Sequence, residues 1–235
     1  MKLAVVIATY MRNDGSTPSY LHRVLKSIFN QTHKQFKIFL IGDKYENENE
    51  INEIVSSYDR SKLYFENLPV AKERDFYTGN ALWSYGGVNA RNYGVRKALS
   101  EGFEYICHID HDDWWYENHL SLINQCILET KSDWMCTLST YASPDRFLPT
   151  PNSDNLYINF LPHSCGLIHS SVCFNYKKIP LEYRDLYLET GSVGLPSDAE
   201  LWDRCRYHIL QNNLKSTLIN KLTCRHDEEG YGRNI

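Results

Sequence analysis

Short apolar runs alternate with amphipathic segments from the amino terminus to about residue 140. The runs are rich in Val, Ile and Leu, as is typical of buried strands, and they cover residues 3–8, 37–41, 63–65, 105–109 and 134–138. Between them, apolar residues recur three and four positions apart, which predicts amphipathic helices that start near residues 17, 51, 89 and 120. This alternation predicts an α/β fold, with a mostly parallel sheet and helices on both faces.

Local signals refine this prediction. Thr17 followed by Pro18 is typical of a helix start, with Thr17 as the N-cap. Residues 69–87 have no clean period and carry four aromatic side chains, which indicates a long functional loop. After residue 141 the pattern loosens, and residues 163–178 suit antiparallel strands. No linker or repeat divides the chain, so we expect one domain.

The amino-acid composition narrows the classes of molecule that the protein is expected to bind. The formal net charge is −4, from 25 basic and 29 acidic side chains, which gives no basic footprint for nucleic acid or an anionic membrane. Seven scattered cysteines form no C-x-x-C pair and predict reduced thiols. No apolar run approaches the roughly 18 residues of a transmembrane helix, and the first residues do not resemble a secretory signal. We therefore expect a cytoplasmic protein without a transmembrane segment.

The apolar run at residues 105–109 leads directly into three carboxylates, Asp110, Asp112 and Asp113. Ligands bind beyond the carboxyl ends of parallel strands, and Mg²⁺ prefers one or two carboxylates together with substrate phosphates. The cluster therefore favours a metal–diphosphate site. An Asp at a strand end also commonly starts a turn or caps a helix, and Asp113 suits that role for a helix beginning near Trp114.

A further carboxylate, Asp198, lies at a predicted helix start. Ser197 followed by Glu200 matches a capping box. That pattern predicts Asp198 as the first helical residue, where the helix dipole favours its ionised form. Asp is common in first helical turns without any catalytic role, so the pattern by itself leaves both interpretations open.

Four segments, in order, resemble family 2 glycosyltransferases of the GT-A fold. They are residues 5–12, residues 27–43, an Ala-Arg-Asn-x-Gly helix at 90–94 with an Asp-x-Asp-Asp signature at 110–113, and residues 197–204. The ordered set covers about residues 3–226. The resemblance implies a Rossmann-like GT-A domain over residues 1–235, with a nucleotide-binding part near 1–113, an acceptor-binding part near 114–235 and a small antiparallel carboxyl-terminal portion.

The resemblance implies inverting transfer of a sugar from a nucleotide diphosphate to an acceptor hydroxyl, with Mn²⁺ or Mg²⁺ as cofactor. It implies that Asp112 coordinates the metal, that Asp110 contacts the ribose or the waters of the metal, and that Asp198 is the general base. His226 matches a carboxyl-terminal histidine that completes the metal site, and imidazole suits Mn²⁺ better than Mg²⁺.

Nucleotide contacts are expected after the first two strands and on the Ala-Arg-Asn-x-Gly helix. The expected residues are Thr9, Tyr10, Arg12, Asp43, Arg91 and Asp110. A carboxylate at Asp43 can accept the imino N–H of uracil or guanine, and we favour a UDP-linked over a GDP-linked donor. The acceptor, a glycan or another hydroxyl compound, is expected to meet Trp115 and His163.

Two positions depart from the family pattern. The second strand ends in Gly42-Asp43-Lys44 rather than in paired carboxylates, and Ser197 replaces the usual Glu before Asp198. Two other classes stay open. A nucleotidyltransferase that makes nucleotide sugars usually has a Gly-rich phosphate loop after its first strand, which residues 8–12 lack. A non-catalytic nucleotide- or carbohydrate-binding protein on the same fold has no need of both the acidic cluster and the Asp198 segment.

Overall fold

The computed structural model describes residues 1–141, 143 and 145–226. The strands are β1 Leu3–Thr9, β2 Phe36–Asp43, β3 Leu63–Leu68, β4 Tyr105–His108, β5 Trp114–Trp115, β6 Trp134–Thr140, β7 Phe147–Leu148, β8 Tyr157–Asn159, β9 Val172–Asn175 and β10 Ser216–Arg225. The helices are α1 Thr17–Phe29, α2 Asn49–Ser56, α3 Gly79–Tyr85, α4 Val88–Ser100, α5 His119–Thr130, α6 Leu186–Thr190 and α7 Ser197–Gln211. A short 3₁₀ helix, His169–Ser171, precedes β9.

These strands form one continuous sheet in the order β3-β2-β1-β4-β9-β6-β10-β5, with β7 beside β6 and β8 beside β10. The first four strands in this order are parallel, and β10 is parallel to β6. Strand β9 is antiparallel to both β4 and β6, as expected for residues 163–178. The predicted α/β fold, with its parallel sheet and smaller antiparallel portion, is confirmed.

Helices cover both faces of the sheet, because alternate residues of each strand point to opposite faces. Leu3, Val5 and Ile7 of β1 pack into a core with α1, α2 and α5. Ala4 and Val6 face a second core that contains residues of α4 and α7. The predicted layering of helix, sheet and helix is therefore confirmed.

The first helix starts differently from the prediction. Thr17 is its first residue rather than its cap, and Ser16 precedes it without a side-chain capping bond. The Thr17 hydroxyl donates to the carbonyl of Tyr10 and accepts from the backbone N–H of Arg12. It therefore holds the loop after β1, and this tertiary role replaces the local one that the sequence suggested.

Two further local expectations are wrong. Residues 69–87 are not wholly a loop, because α3 forms within them. Trp114 begins β5 rather than a helix, and this strand pairs antiparallel with β10. Asp113 therefore caps no helix. Within the described part of the chain, no helix is both long and apolar enough to cross a membrane.

The carboxyl ends of β1, β2 and β4 meet at one edge of the sheet, since these strands are parallel neighbours. The loops that carry Tyr10, Lys44 and Asp110 therefore begin side by side. This edge is where α/β sheets bind their ligands.

Candidate active site

Asp110 and Asp112 each bind an arginine at this edge. Arg12 Nη2 donates to Asp112 Oδ2 over 2.7 Å, and Arg91 Nη2 donates to Asp110 Oδ1 over 3.1 Å. His169 Nδ1 lies 3.3 Å from the same oxygen of Asp110. Burial raises the pKa of Asp110, but His169 and Arg91 lower it by more, to well below its usual value. The Asp110 carboxylate of this acidic loop, residues 110–113, is thus ionised, and Arg91 supplies a positive charge beside it.

Asp113 points into the protein and holds the loop in place. Its side chain is 0 % exposed, accepts a hydrogen bond from the Ser170 hydroxyl, and lies 3.0 Å from Nδ1 of His226. Ser170 Oγ also accepts the backbone N–H of Asp110. Burial lowers the pKa of His226, whereas the Asp113 carboxylate raises it by more, to about 9. An ion pair therefore ties the end of β10 to the acidic loop.

Helix α4 shows why its Ala-Arg-Asn-x-Gly sequence suits this site. A Cβ at Gly94 would lie 2.7 Å from Cγ1 of Val6, so the glycine lets α4 pack directly on β1. Asn92 exchanges two hydrogen bonds with the backbone of Tyr183, of 2.8 and 2.9 Å. With both of these contacts fixed, Arg91 reaches Asp110.

Asp43, at the end of β2, lies in a pocket of polar and aromatic side chains. Arg74 Nε donates to Asp43 Oδ2 over 2.9 Å, and the guanidinium stacks 3.2 Å above the centroid of the Tyr10 ring. The other carboxylate oxygen, Oδ1, is buried and has no hydrogen-bond partner among the described residues. Such a group normally requires a donor. Thr9 is buried beneath this pocket, with its hydroxyl 2.7 Å from that of Tyr45.

Asp198 is the second residue of α7, not the first. Pro196 occupies the cap position, and the capping box between Ser197 and Glu200 does not form. Glu200 instead accepts a hydrogen bond from Arg204. Helix α7 lies beside the acidic loop, because the ring of Trp202 is 6.1 Å from that of His169, which contacts Asp110. Asp198 lies one turn before Trp202 on this helix.

The two expected acceptor residues have different surroundings. Trp115 is 2 % exposed, donates from its indole N–H to the Ser170 carbonyl, and stacks on His119 at 4.0 Å. It packs in the core, and its expected contact with an acceptor stays a prediction. His163 is exposed and packs over Gly166, where a Cβ would lie 1.8 Å from its ring.

Asp112 and His226 are of the residue types that hold divalent cations. Asp112 is 21 % exposed, and the His226 imidazole, 22 % exposed, contacts Asp113 of the same acidic loop, so a carboxylate and an imidazole both adjoin this loop. Among the described residues, no group of three or more His, Cys, Asp and Glu side chains is arranged as a metal site. Sites of this kind take their remaining ligands from substrate phosphates and water. Asp113 bonds Nδ1 of His226, as outer-shell carboxylates do for metal-binding histidines.

Comparison with known proteins identifies the family. The model of the family described as "Glycosyl transferase family 2" matches residues 4–191. The chain belongs to this family. An uncharacterized glycosyltransferase, R139, of Acanthamoeba polyphaga mimivirus is 37% identical over 241 residues, which cover 100% of this chain and 97% of that protein. This protein is thus a family 2 glycosyltransferase, as the sequence resemblance implied.

A more distant relative, an uncharacterized glycosyltransferase of Rickettsia bellii, is 25% identical over 164 residues, which cover 68% of this chain and 20% of that protein.

Solved structures share the fold of this family 2 glycosyltransferase at low identity. TarS of S. aureus, residues 1–349, in complex with UDP-GlcNAc has a TM-score of 0.69 at 16% identity, over 98% of this chain and 60% of that one. The mannosyltransferase PcManGT from Pyrobaculum calidifontis, in complex with GDP-Man and Mn²⁺, has a TM-score of 0.61 at 8% identity, over 98% and 58%. The chain therefore spans about 60% of the TarS chain, and the GT-A fold is confirmed.

Three residues at this site escaped the sequence analysis: Arg74, His169 and Ser170. Arg74 stands in the charged run 72–75, a pattern typical of an exposed loop. His169 and Ser170 lie some 60 residues beyond the acidic loop. Only the pairing of β9 with β4 brings them there. No local signal marked them.

Proposed function

We propose that this protein transfers a sugar from a UDP-linked donor to an acceptor hydroxyl, with inversion at the anomeric carbon and with a divalent cation. The observation that supports this most strongly is that α7, the helix that carries Asp198, packs with Trp202 against His169, which itself contacts Asp110. Transfer needs positive charge at the departing diphosphate and a carboxylate at the acceptor. This cleft supplies both kinds of group.

Asp112 and His226 would hold the cation, which supplies Lewis-acid stabilisation of the diphosphate when bound. Arg12 and Arg91 contact the acidic loop through salt bridges with Asp112 and Asp110, respectively. Their planar guanidinium groups bind phosphate oxygens in pairs. We infer that Arg12 moves from Asp112 to the diphosphate when the donor binds, because the cation then neutralises the carboxylate.

Asp198 is the proposed general base. It is half-buried in the first turn of α7, where the backbone N–H of Ala199 donates to its carboxylate. The carboxylate stands at the positive end of the helix dipole, and a carboxylate in such a position can accept a proton. A single displacement with such a base inverts the anomeric carbon.

The pocket around Asp43 suits uracil. One carboxylate oxygen is taken by Arg74, so a single buried acceptor, Oδ1, stands beside the donors of a guanidinium. Uracil presents one imino N–H between two carbonyl groups, which complements this arrangement. Guanine presents two adjacent donors and would leave one without an acceptor. For uracil to stack on the Tyr10 ring, Arg74 would have to move from its present position over that ring.

His163 is our proposed contact for the acceptor, a glycan or another hydroxyl compound. The backbone N–H of Ser164 donates to Asp203 of α7 over 2.8 Å, which ties the His163 loop to the helix that carries Asp198. This supports an acceptor-binding part within residues 114–235, opposite a nucleotide-binding part within residues 1–113. All seven cysteines are free thiols, as suits our proposed cytoplasmic location.

A donor panel tests the proposal. Purified protein is mixed with UDP- and GDP-sugars, with Mn²⁺ or with excess chelator, and thermal unfolding and donor hydrolysis are recorded. We expect UDP-sugars to stabilise the protein, by roughly 2.7 kcal/mol at 100 times the dissociation constant, and hydrolysis to need the cation. Full turnover in excess chelator would contradict the metal role.

The alternatives give different results in the same assays. Pyrophosphate release from UTP and a sugar phosphate would identify a nucleotidyltransferase. Binding of the donor without turnover, across a panel of hydroxyl acceptors, would identify a non-catalytic binding protein.

A further inference from the structure

Four buried side chains form a continuous line of polar contacts that ends at Asp110. Tyr176 Oη lies 3.1 Å from His108 Nε2, and Tyr183 Oη lies 3.0 Å from His108 Nδ1. The same Tyr183 hydroxyl lies 2.8 Å from His169 Nε2. His169 Nδ1 is 3.3 Å from Asp110 Oδ1, a close polar contact that lacks the geometry of a hydrogen bond among the described residues. The line thus joins the core behind β4 to the acidic loop.

The protons of three of these side chains can be assigned. Burial lowers the pKa of His108 well below its usual value and raises those of Tyr176 and Tyr183, so all three are neutral at neutral pH. A neutral imidazole has one donor and one acceptor. When Nε2 of His108 accepts from the Tyr176 hydroxyl, Nδ1 of His108 donates to the Tyr183 hydroxyl, and that hydroxyl donates to Nε2 of His169, so these three donors point toward Asp110.

The line acts on one oxygen of Asp110. His169 and Arg91 both contact Oδ1, whereas Oδ2 has no partner among residues 1–141, 143 and 145–226. Arg91 also lies 5.7 Å from the centroid of the Tyr183 ring, so both contacts of Oδ1 depend on where Tyr183 sits. Asn92 fixes that residue through its backbone. The carboxylate is therefore held with Oδ2 presented to a ligand.

We propose that His169 and Tyr183 are positioning residues that orient Asp110 toward the ribose hydroxyls of the donor. This inference rests on the proposed function, in which Asp110 contacts the nucleotide. A buried polar network that served only stability would lower the affinity for every ligand alike when damaged. A positioning role predicts a loss confined to ligands with ribose hydroxyls.

The test compares UDP with 2′,3′-dideoxy-UDP, which lacks both hydroxyls, by calorimetry in the presence of Mn²⁺. Tyr183→Phe keeps the ring and the backbone bonds and removes the shared hydroxyl. We expect it to weaken UDP binding about five- to tenfold, as for loss of one well-oriented hydrogen bond, and to leave dideoxy-UDP binding unchanged. In an Asp110→Asn background the same substitution is expected to have no further effect.

Two substitutions of His169 give an independent comparison. His169→Asn keeps an amide near the Nδ1 position, which faces Asp110, and is expected to retain most of the preference for UDP over its dideoxy form. His169→Gln places its amide near Nε2 and is expected to lose that preference. Should Tyr183→Phe fail to fold in thermal unfolding, this pair still decides the question.

Tyr105→Phe is the matched control, because this buried tyrosine donates to the Ser132 carbonyl at the opposite end of β4. It is expected to bind both nucleotides as the wild-type protein does. Equal weakening of both nucleotides by Tyr183→Phe, or no weakening, would overturn the positioning role. Wild-type protein that binds no UDP would overturn the proposed function itself, and this inference with it.

Discussion

Arg12 donates a 2.7 Å hydrogen bond to Asp112, across 100 positions of the chain. The contact joins the loop after β1 to the acidic loop after β4. Asp112 is the carboxylate that we propose holds a cation. In this structure its positively charged partner is Arg12. We expect a cation at Asp112 to displace this arginine, so that the salt bridge and the metal compete for one carboxylate.

Removing the competitor should strengthen metal binding. We expect Arg12→Met to raise the affinity for Mn²⁺ without nucleotide about fivefold, since a partly exposed pair contributes at most ~1 kcal/mol. Mn²⁺ titration followed by electron paramagnetic resonance measures this. Lys37→Met is the control, because it breaks a pair with Glu101 away from the cleft. A lower Mn²⁺ affinity for Arg12→Met than for wild type would show that Arg12 and the metal ion do not compete for Asp112.

Loss of the proposed base should separate binding from transfer. We expect Asp198→Asn to lower sugar transfer by ~10²–10⁴-fold while UDP affinity stays the same. Glu200→Gln is the matched control: it lies in the same helical turn, but its carboxylate is bound by Arg204 and Arg184. Transfer rates and UDP titrations are compared for both variants. Equal rates for Asp198→Asn and wild type would remove Asp198 from the mechanism.

Recognition of the uracil nucleobase can be tested at Asp43. We expect Asp43→Asn to weaken UDP binding about tenfold or more, because a charged hydrogen-bonding group is lost from a buried position. UDP methylated at N3 of uracil lacks the imino proton, so wild type should reject it and the variant should discriminate less. Asp75→Asn is the control, since Asp75 pairs with Lys44. Wild-type protein that binds the two nucleotides equally would exclude the proposed contact.

Stability should depend on pH through Glu73. This side chain is buried with Oε2 unpaired among the described residues, and burial raises its pKa to about 7 from 4.5. A raised pKa means that folding disfavours the ionised form. Stability is therefore lost as pH rises from 4.5 through about 7. Relative to Glu73→Gln, we expect wild type to lose up to about 3 kcal/mol over this range.

Denaturant unfolding at pH 4.5 and pH 8 measures this difference. The exposed Glu53→Gln on α2 is the control and should track the wild type at both values. If the difference in the free energy of unfolding between wild type and Glu73→Gln does not change with pH, the pKa of Glu73 is not raised in the folded protein.

The sequence predicted the parts of the fold that depend on local pattern. Leu3, Val5 and Ile7 alternate with Ala4 and Val6, and both sets are buried as a strand covered on both faces requires. The acidic loop was found because three carboxylates follow an apolar strand within four residues, and the segment at the start of α7 because it resembles the corresponding segment of the family.

What the sequence could not supply depends on tertiary contacts. Asp113 has the local pattern of a helix cap, but the pairing of β5 with β10 brings His226 beside it and makes it the buried half of an ion pair. The capping box at Ser197 fails because Pro196 takes the cap position, and Glu200 is bound by Arg204 on the same helix and by Arg184. In the case of Asp113, a strand pairing between distant segments overrides a local preference worth about 1 kcal/mol.

Gly94 fixes the height at which α4 rests on the sheet, with no room for even one methyl group above Val6. Any larger residue there would act as a wedge and raise the helix by a fraction of an ångström. Arg91, one turn away on the same helix, would then be withdrawn from Asp110. A substitution at Gly94 would thus inactivate the enzyme from the core side of α4, without any contact with the substrate.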